Sequence, residues 1–430
     1  MTAAAGRGYE MKLLISAYAC APERGSEHAV GWNWTTAAHR LGHQVWALAS
    51  TVHRGAIETA CREDRGLNGI NWIFPGVAGW PLRDGVEPGW ERTYNLLWQF
   101  AALNRARAFH REVRFDAVHH LTWGGVRAPT FLGALGAPLI VGPIGGGESS
   151  PAGLRDTFTL RSRIAERARD LSNASITINP MTRGGLAQAK VIFVKTPDTQ
   201  RLFTKTMQRK SQTFLELTLQ RSQLGAPRVP PPGPPRLLYA GRLLYWKGAH
   251  IAIGALAALL PRIPQARLTI VGAGPEGERL KAEAAAKNLG DRIEFIPWLP
   301  QQELFALYGA HDLFVFPSLH DSSGNVVLEA LSHGLPVMCL DLGGPPQIVT
   351  PQAGIVVSTA GRSTMGVAAA MAEEMQRLFA EPARLAALSA GAIARASEFV
   401  VSDRIGAFYR AAAEEIGVPL DPAPTAGRTM

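Results

Sequence analysis

A chain of 430 residues, 47% apolar and 18% charged, has the composition of an ordinary soluble protein and is too long for one typical core, so two domains are expected. A net charge of +9 favours anionic partners, and three scattered cysteines (Cys20, Cys61, Cys339) fit neither a disulfide framework nor a zinc site and point to a reducing cytosol. No apolar run reaches the roughly 18–20 residues that span a bilayer.

Met11 to Ala21 superficially resembles a short signal peptide, but it reads better as a first buried strand after a ragged start. The loop Cys20 to Glu27, an amphipathic helix to about Leu41 and a strand at Gln44 to Leu48 follow, which together make a βαβ unit. Gly25 and Ser26 at the helix start could approach a phosphate or sugar closely, or Ser26 could be a plain N-cap. From Gly79 to Arg114 the chain is rich in Trp and Arg (Trp80, Arg83, Trp90, Arg92, Trp98, Arg105, Arg107, Arg111, Arg114). This reads as one long helix with Trp and Leu inward and arginines solvated; the same composition suits an anionic membrane surface and, less well, nucleic acid.

Asp116 to Leu121 reads as a strand ending in His119 and His120. Adjacent strand residues point to opposite faces, so only one of the two can line a given cleft face, and His120 is the candidate. Val141 to Glu148 closes the next strand with three consecutive glycines, among them Gly145 and Gly146, suited to close approach of a ligand or to a hinge. Between Gly225 and Arg236 six of twelve residues are proline, a semi-rigid spacer and the best domain boundary in the chain.

After this seam the strand–helix pattern restarts. Strand Leu237 to Ala240 leads to Gly241–Gly248 and a helix over Ala249 to Leu260. Strand Leu268 to Val271 leads to Gly272–Gly277 and a helix to Asn288. Strand Arg292 to Ile296, helix Gln301 to Tyr308, strand Leu313 to Phe316 and strand Pro336 to Leu340 complete a second doubly wound unit. Gly272, Gly274 and Gly277 match the dinucleotide fingerprint literally. Yet the motif is not on the first strand of its unit, and Glu276 would put negative charge beside a pyrophosphate. A tight turn near a nucleotide is the preferred reading. Arg242 and Lys247 at a helix start suit a pyrophosphate whose charge grows as a sugar leaves. In Pro317–Leu331 a polar Gly-containing turn joins strand to helix, with acids at Asp321 and Glu329. Backbone N–H groups around Ser323, Gly324, Asn325 and Val326 suit an anion, and the acids suit sugar or ribose hydroxyls.

These residues resemble the GT-B glycosyltransferases of the retaining group often called family 4, the glycosyl transferases group 1. Gly241-Arg242 with Lys247-Gly248 is similar to that family's diphosphate-binding pair. Gly272-Ala-Gly-Pro-Glu276 is similar to its next turn, Asp321 to Glu329 to its E-x7-E element, and Gly343 to Val349 to its GG-x-P-E-x-V segment. Pro22 to Glu27 stands where the family carries its acceptor loop. Two positions depart from the pattern: the first acid is Asp321 rather than Glu, and Gln347 replaces an acid.

The resemblance implies two Rossmann-like doubly wound α/β domains facing each other across a cleft. The expected divisions are an acceptor domain over 11–225, a linker over 226–236, a donor domain over 237–398, and a helix over 399–416 returning to the first domain. It implies transfer of a sugar from a nucleoside diphosphate sugar to a saccharide or lipid-linked hydroxyl with retention, without cofactor or metal. Arg242, Lys247, Asp321 and His120 are the expected catalytic residues, with Glu329, Ser323, Gly324, Asn325, Val326, Gly272 and Gly274 on the donor. Gly25, Ser26, Glu27, Gly145 and Gly146 form the expected acceptor loop. No Asp-x-Asp occurs in the sequence. The expected place is the cytoplasm, at the inner face of an anionic membrane, with no nucleic-acid partner. Rival readings are a silent nucleotide-sugar binder, a sugar-nucleotide epimerase and a dinucleotide-dependent oxidoreductase.

Overall fold

The computed structural model describes residues 10–80, 90–229 and 233–418. Of the features singled out above, Arg83 and the prolines at 230–232 lie outside the described residues. The chain divides into two compact units, one of residues 1–146, 174–218 and 401–430, the other of 147–173 and 219–400.

The first unit is built on a seven-stranded parallel sheet of β1 (Lys12–Ser16), β2 (Gln44–Leu48), β3 (Asn71–Ile73), β4 (Ala117–His120), β5 (Leu139–Ile144), β6 (Val191–Val194) and β7 (Ser211–Thr213), in the order β3-β2-β1-β4-β5-β6-β7. The apolar stretch after Met11 is thus a central strand, with Leu13, Leu14 and Ile15 fully buried. Buried on both faces, such strands read as continuous apolar runs. The long helix Glu91–Val113 turns Tyr94, Trp98, Ala102 and Ala106, spaced four apart, into the core, while Arg92, Arg105, Arg107 and Arg111 are exposed. The helix Val401–Ile416 packs Ile405, Phe408, Tyr409 and Ala412 into the opposite core of the same sheet.

The second unit holds a six-stranded parallel sheet of β8 (Arg236–Ala240), β9 (Arg267–Val271), β10 (Ile293–Ile296), β11 (Leu313–Phe316), β12 (Val337–Leu340) and β13 (Gly354–Val357), ordered β10-β9-β8-β11-β12-β13. The strand order reverses between β8 and β11. In open α/β sheets the crevice at the carboxyl ends of such a pair is where ligands collect.

The domain limits read from sequence need correcting. Residues 147–173 and 219–225, expected in the first domain, belong to the second unit. The cause is polar: Glu166 is bonded to Tyr245 and His320, and Asp156 accepts from Thr364. Gly225 donates its N–H to the Ser332 carbonyl at 2.8 Å. The proline-rich seam marks no unit boundary.

Candidate functional site

At the β8/β11 reversal two loops are stitched together. The loop after β8 carries Arg242 and Lys247, and the loop after β11 carries Asp321. The Leu319 N–H donates to the Trp246 carbonyl at 2.8 Å, and the Ser318 hydroxyl to the same oxygen at 3.3 Å. Gly248 is left-handed, at φ 76°, and a Cβ there would lie 1.9 Å from the Pro317 carbonyl oxygen. Only glycine allows this approach. It brings the Lys247 ammonium against the Asp321 carboxylate in a partly buried ion pair, with the ammonium 5.7 Å from the Phe316 ring centroid. Arg242 is exposed on the same loop and makes no ion pair among the described residues.

The Asp321 turn is held from its other side by the Gly344 N–H, which donates to the Asp321 carbonyl at 2.7 Å. Ser323 donates its N–H to the Asp321 carboxylate at 3.4 Å, and Gly324, left-handed at φ 90°, caps the helix Asn325–Ser332 without a side-chain cap. The first backbone N–H groups of that helix, near Asn325 and Val326, therefore lack intrahelical partners beside the Lys247–Asp321 pair. One turn on, Glu329 is half-buried and accepts from the Tyr308 hydroxyl at 3.2 Å. Burial raises its pKa, opposed by bonds from Tyr308 and Gln301. Gln347, where an acid was expected, is tied through its carbonyl to Arg395 at 2.8 Å.

Gly272 and Gly274, expected at a tight turn on the donor, are each closely approached by backbone on one side. A Cβ at Gly272 would lie 1.9 Å from the Gly241 carbonyl oxygen, and one at Gly274 would lie 2.4 Å from that of Leu243. Leu243 donates its N–H to the Ala273 carbonyl at 3.0 Å, and Glu276 donates its N–H back to Leu243 at 3.1 Å. These glycines seat the Arg242 loop.

Sequence reasoning missed Glu166. Its side chain is fully buried and accepts from the Ser150 N–H at 3.0 Å, the Tyr245 hydroxyl at 3.0 Å and His320 Nε2 at 2.9 Å. Burial pushes the carboxyl pKa up, but the bonds from His320, Ser150 and Tyr245 outweigh it and hold it at about 2. Trp246 stacks on His320 with centroids 5.1 Å apart. Residues 245–246 and 320 immediately precede Lys247 and Asp321, so one buried carboxylate braces both sides of the ion pair. Glu166 lies 79 residues from Tyr245 and 154 from His320 in sequence, and no local pattern announces it. Tyr308, on Glu329, is a second omission of the same kind.

In the first unit the histidine pair separates as alternation requires. His119 is structural: Nε2 donates to the Gly142 carbonyl at 2.6 Å, which leaves Nδ1 to accept from the Tyr409 hydroxyl at 3.0 Å. His120 is buried, and the polar group its ring meets is the Trp123 backbone. Burial lowers its pKa to about 4, so it is a neutral imidazole at physiological pH. Glu27 accepts from the Gly124 N–H at 2.8 Å and lines a cavity of about 570 Å³ with Asn95, Trp123, Arg127, Gly145 and Gly146. The structure thus joins three of the five expected acceptor-loop residues. Gly25 and Ser26 stand exposed, and the helix N-cap is Gly25 rather than Ser26.

Residues 223–393 match the family model for glycosyl transferases group 1. A glycogen synthase of Mycobacterium tuberculosis (strain H37Rv) is 39% identical over 147 residues, 34% of this chain and 35% of that protein. The matched stretch spans about a third of that relative's length. Among solved structures, a glycosyltransferase from Rickettsia africae aligns with TM-score 0.60 at 15% identity, covering 95% of this chain and 99% of that one. Anabaena Alr3699/HepE, solved in complex with UDP-glucose, aligns with TM-score 0.55 at 15% identity over 94% of this chain and all of that one, 100%. At such identity these likenesses speak to the fold alone: parallel sheets of seven and six strands with flanking helices, as in GT-B structures.

Proposed function

We propose that this chain, a GT-B protein with a glycosyl transferases group 1 domain over residues 223–393, transfers a hexosyl group from a nucleoside diphosphate sugar to an acceptor hydroxyl with retention at the anomeric carbon. One observation carries the reading: Lys247 and Asp321, read separately as a diphosphate cation and a sugar-binding acid, meet as an ion pair at the strand-order reversal of the second unit. As the bond to the sugar breaks, negative charge grows on the leaving diphosphate. Lys247, the exposed Arg242 and the N–H groups at the start of the helix Asn325–Ser332 supply the opposing charge in a preorganised form. With no Asp-x-Asp pair in the sequence, these groups carry that task without a metal. Asp321 then contacts the sugar, and Glu329, held by Tyr308, takes the ribose hydroxyls.

His120, a buried neutral imidazole, bonds a sugar hydroxyl. The cavity at Glu27, Gly145 and Gly146 receives the acceptor. A uridine diphosphate sugar is the first donor to test, since the Anabaena relative was solved with UDP-glucose. The acceptor is a lipid-linked saccharide or polysaccharide precursor presented at the inner membrane face, a reading motivated by the +9 net charge.

The test is a screen of nucleotide sugars for donor hydrolysis and transfer, with Glu329→Ala as control. Loss of the ribose contact is expected to raise the donor KM about tenfold or more. Unchanged turnover and KM in that variant would remove Glu329 from the site. Product formed without any acceptor would favour an epimerase, and donor binding without turnover a silent binder.

A further inference from the structure

The helix Leu160–Ala174 is amphipathic in the wrong sense for a soluble core. Its buried residues are Ser162, Glu166 and Asn173, all polar. Its large apolar side chains, Leu160, Ile164 and Leu171, are 76%, 57% and 73% exposed. At 3.6 residues per turn these three fall on one stripe, opposite the buried positions. A buried polar face satisfied by hydrogen bonds explains how the helix is held: Glu166 as described, and Asn173 donating to the Gly147 carbonyl at 2.9 Å. It does not explain the apolar stripe turned to water.

The charges around the stripe indicate what covers it. Arg161, Arg163 and Arg167 are exposed and flank it on both sides. The two acids of the helix are withdrawn: Glu166 is buried, and Asp170 is bonded by Arg155 at 2.7 and 3.1 Å. Beside the stripe a cavity of about 440 Å³ is lined by Arg155, Asp156, Arg163 and Arg167, with Arg163 anchored on the Asp156 carbonyl at 2.8 Å. A second copy of the chain fits poorly. Three side chains offer far less than the ~800 Å² per partner of a stable interface, and a symmetric contact would press arginine against arginine. An apolar stripe between rows of arginine matches a lipid surface whose headgroups carry phosphate.

We propose that the outward face of the helix Leu160–Ala174 docks on an anionic membrane, with Leu160, Ile164 and Leu171 at the acyl boundary and Arg161, Arg163 and Arg167 on lipid phosphates. This rests on the membrane-side acceptor proposed above and is independent of the donor chemistry.

The full chain is sedimented with vesicles of phosphatidylcholine plus phosphatidylglycerol and with pure phosphatidylcholine, at low and high salt. Binding to the anionic vesicles alone, weakened by salt, is expected. The triple variant Arg161→Gln/Arg163→Gln/Arg167→Gln should lose about a hundredfold in partitioning, and Leu160→Gln/Ile164→Gln/Leu171→Gln should lose most of the binding. Both should keep the wild-type melting profile, because the altered side chains are exposed. Wild-type binding by either variant, equal binding to pure phosphatidylcholine, or a dimer that the apolar variant dissolves would overturn the assignment. Nucleotide binding by calorimetry separates the two readings. Vesicle binding lost in both variants, with no binding of UDP, ADP or GDP, supports this surface and sinks the donor site; nucleotide binding without vesicle binding does the reverse.

Discussion

Glu166 shows how much one buried carboxylate can govern at a site it does not line. Its charge is offset by three donors, and two of them, Tyr245 and His320, sit on the segments that carry Lys247 and Asp321. Because its folded pKa, about 2, is below the ordinary carboxylate value, the stabilisation is present above about pH 4.5 and is lost as pH falls towards 2. The shift corresponds to on the order of 3 kcal/mol. Glu166→Gln should therefore lower stability at neutral pH by a few kcal/mol and flatten the acid limb of a urea-denaturation series. An acid limb identical to wild type would show that the network contributes nothing. Lys247→Met differs in kind. The pair it breaks is largely buried, and breaking it leaves Asp321 unpaired, so the melting temperature should fall, and kcat should in addition fall about 10²–10³-fold if the ammonium stabilises the leaving diphosphate. Single-turnover assays on a competent donor read this directly. Lys247, Asp321 and Glu329 could be singled out from the sequence because the first two lie in Gly-containing loops that follow apolar strand runs, and Glu329 lies on the helix that follows the second loop. Glu166 and Tyr308 could not, because their roles come from partners far away in sequence.

At the scale of elements, legibility followed burial only in part: β6, VIFV, is buried throughout and was not read from the sequence. β8, β9, β11 and β12 are runs of apolar residues buried almost throughout and bounded by Gly or Pro, which mark strands even without alternation. β3 and β7 have three residues each, NWI and SQT, and β13 opens on glycine. Sheet neighbours make these segments strands, and their local propensity is weak. The glycine motif at 272–277 was legible as a turn but ambiguous in purpose, since backbone approaching backbone and backbone approaching pyrophosphate both demand glycine. Gly248 tests the loop architecture. Gly248→Ala forces a left-handed φ and a collision with the Pro317 carbonyl, so a loss of about 2–4 kcal/mol is expected. Gly25→Ala, at φ −82° with nothing within 4 Å, should cost only tenths of that. Equal melting of the two variants would mean that the loop after β8 yields without cost.

The molecule as a whole is less modular than its sequence suggests. A proline-rich seam and a restarting strand–helix pattern imply two consecutive domains, yet the chain passes between the units at 146–147, 173–174, 218–219 and 400–401. Composition marks linkers, but it cannot show a segment whose polar side chains find partners in another unit. The excursion 147–173 supplies the second unit with Glu166 and with Asp156, which accepts from Thr364. Residues 219–400 alone would leave Tyr245 and His320 without that carboxylate and Thr364 without its acceptor. A fragment of 219–400 should therefore melt well below the same fragment joined through a flexible linker to 147–173. The advantage of the joined form should shrink sharply on Glu166→Ala, because a deleted carboxylate leaves buried donors unpaired. Equal melting of the two fragments, or an advantage indifferent to Glu166→Ala, would mean that the excursion is attached to the unit without supporting it.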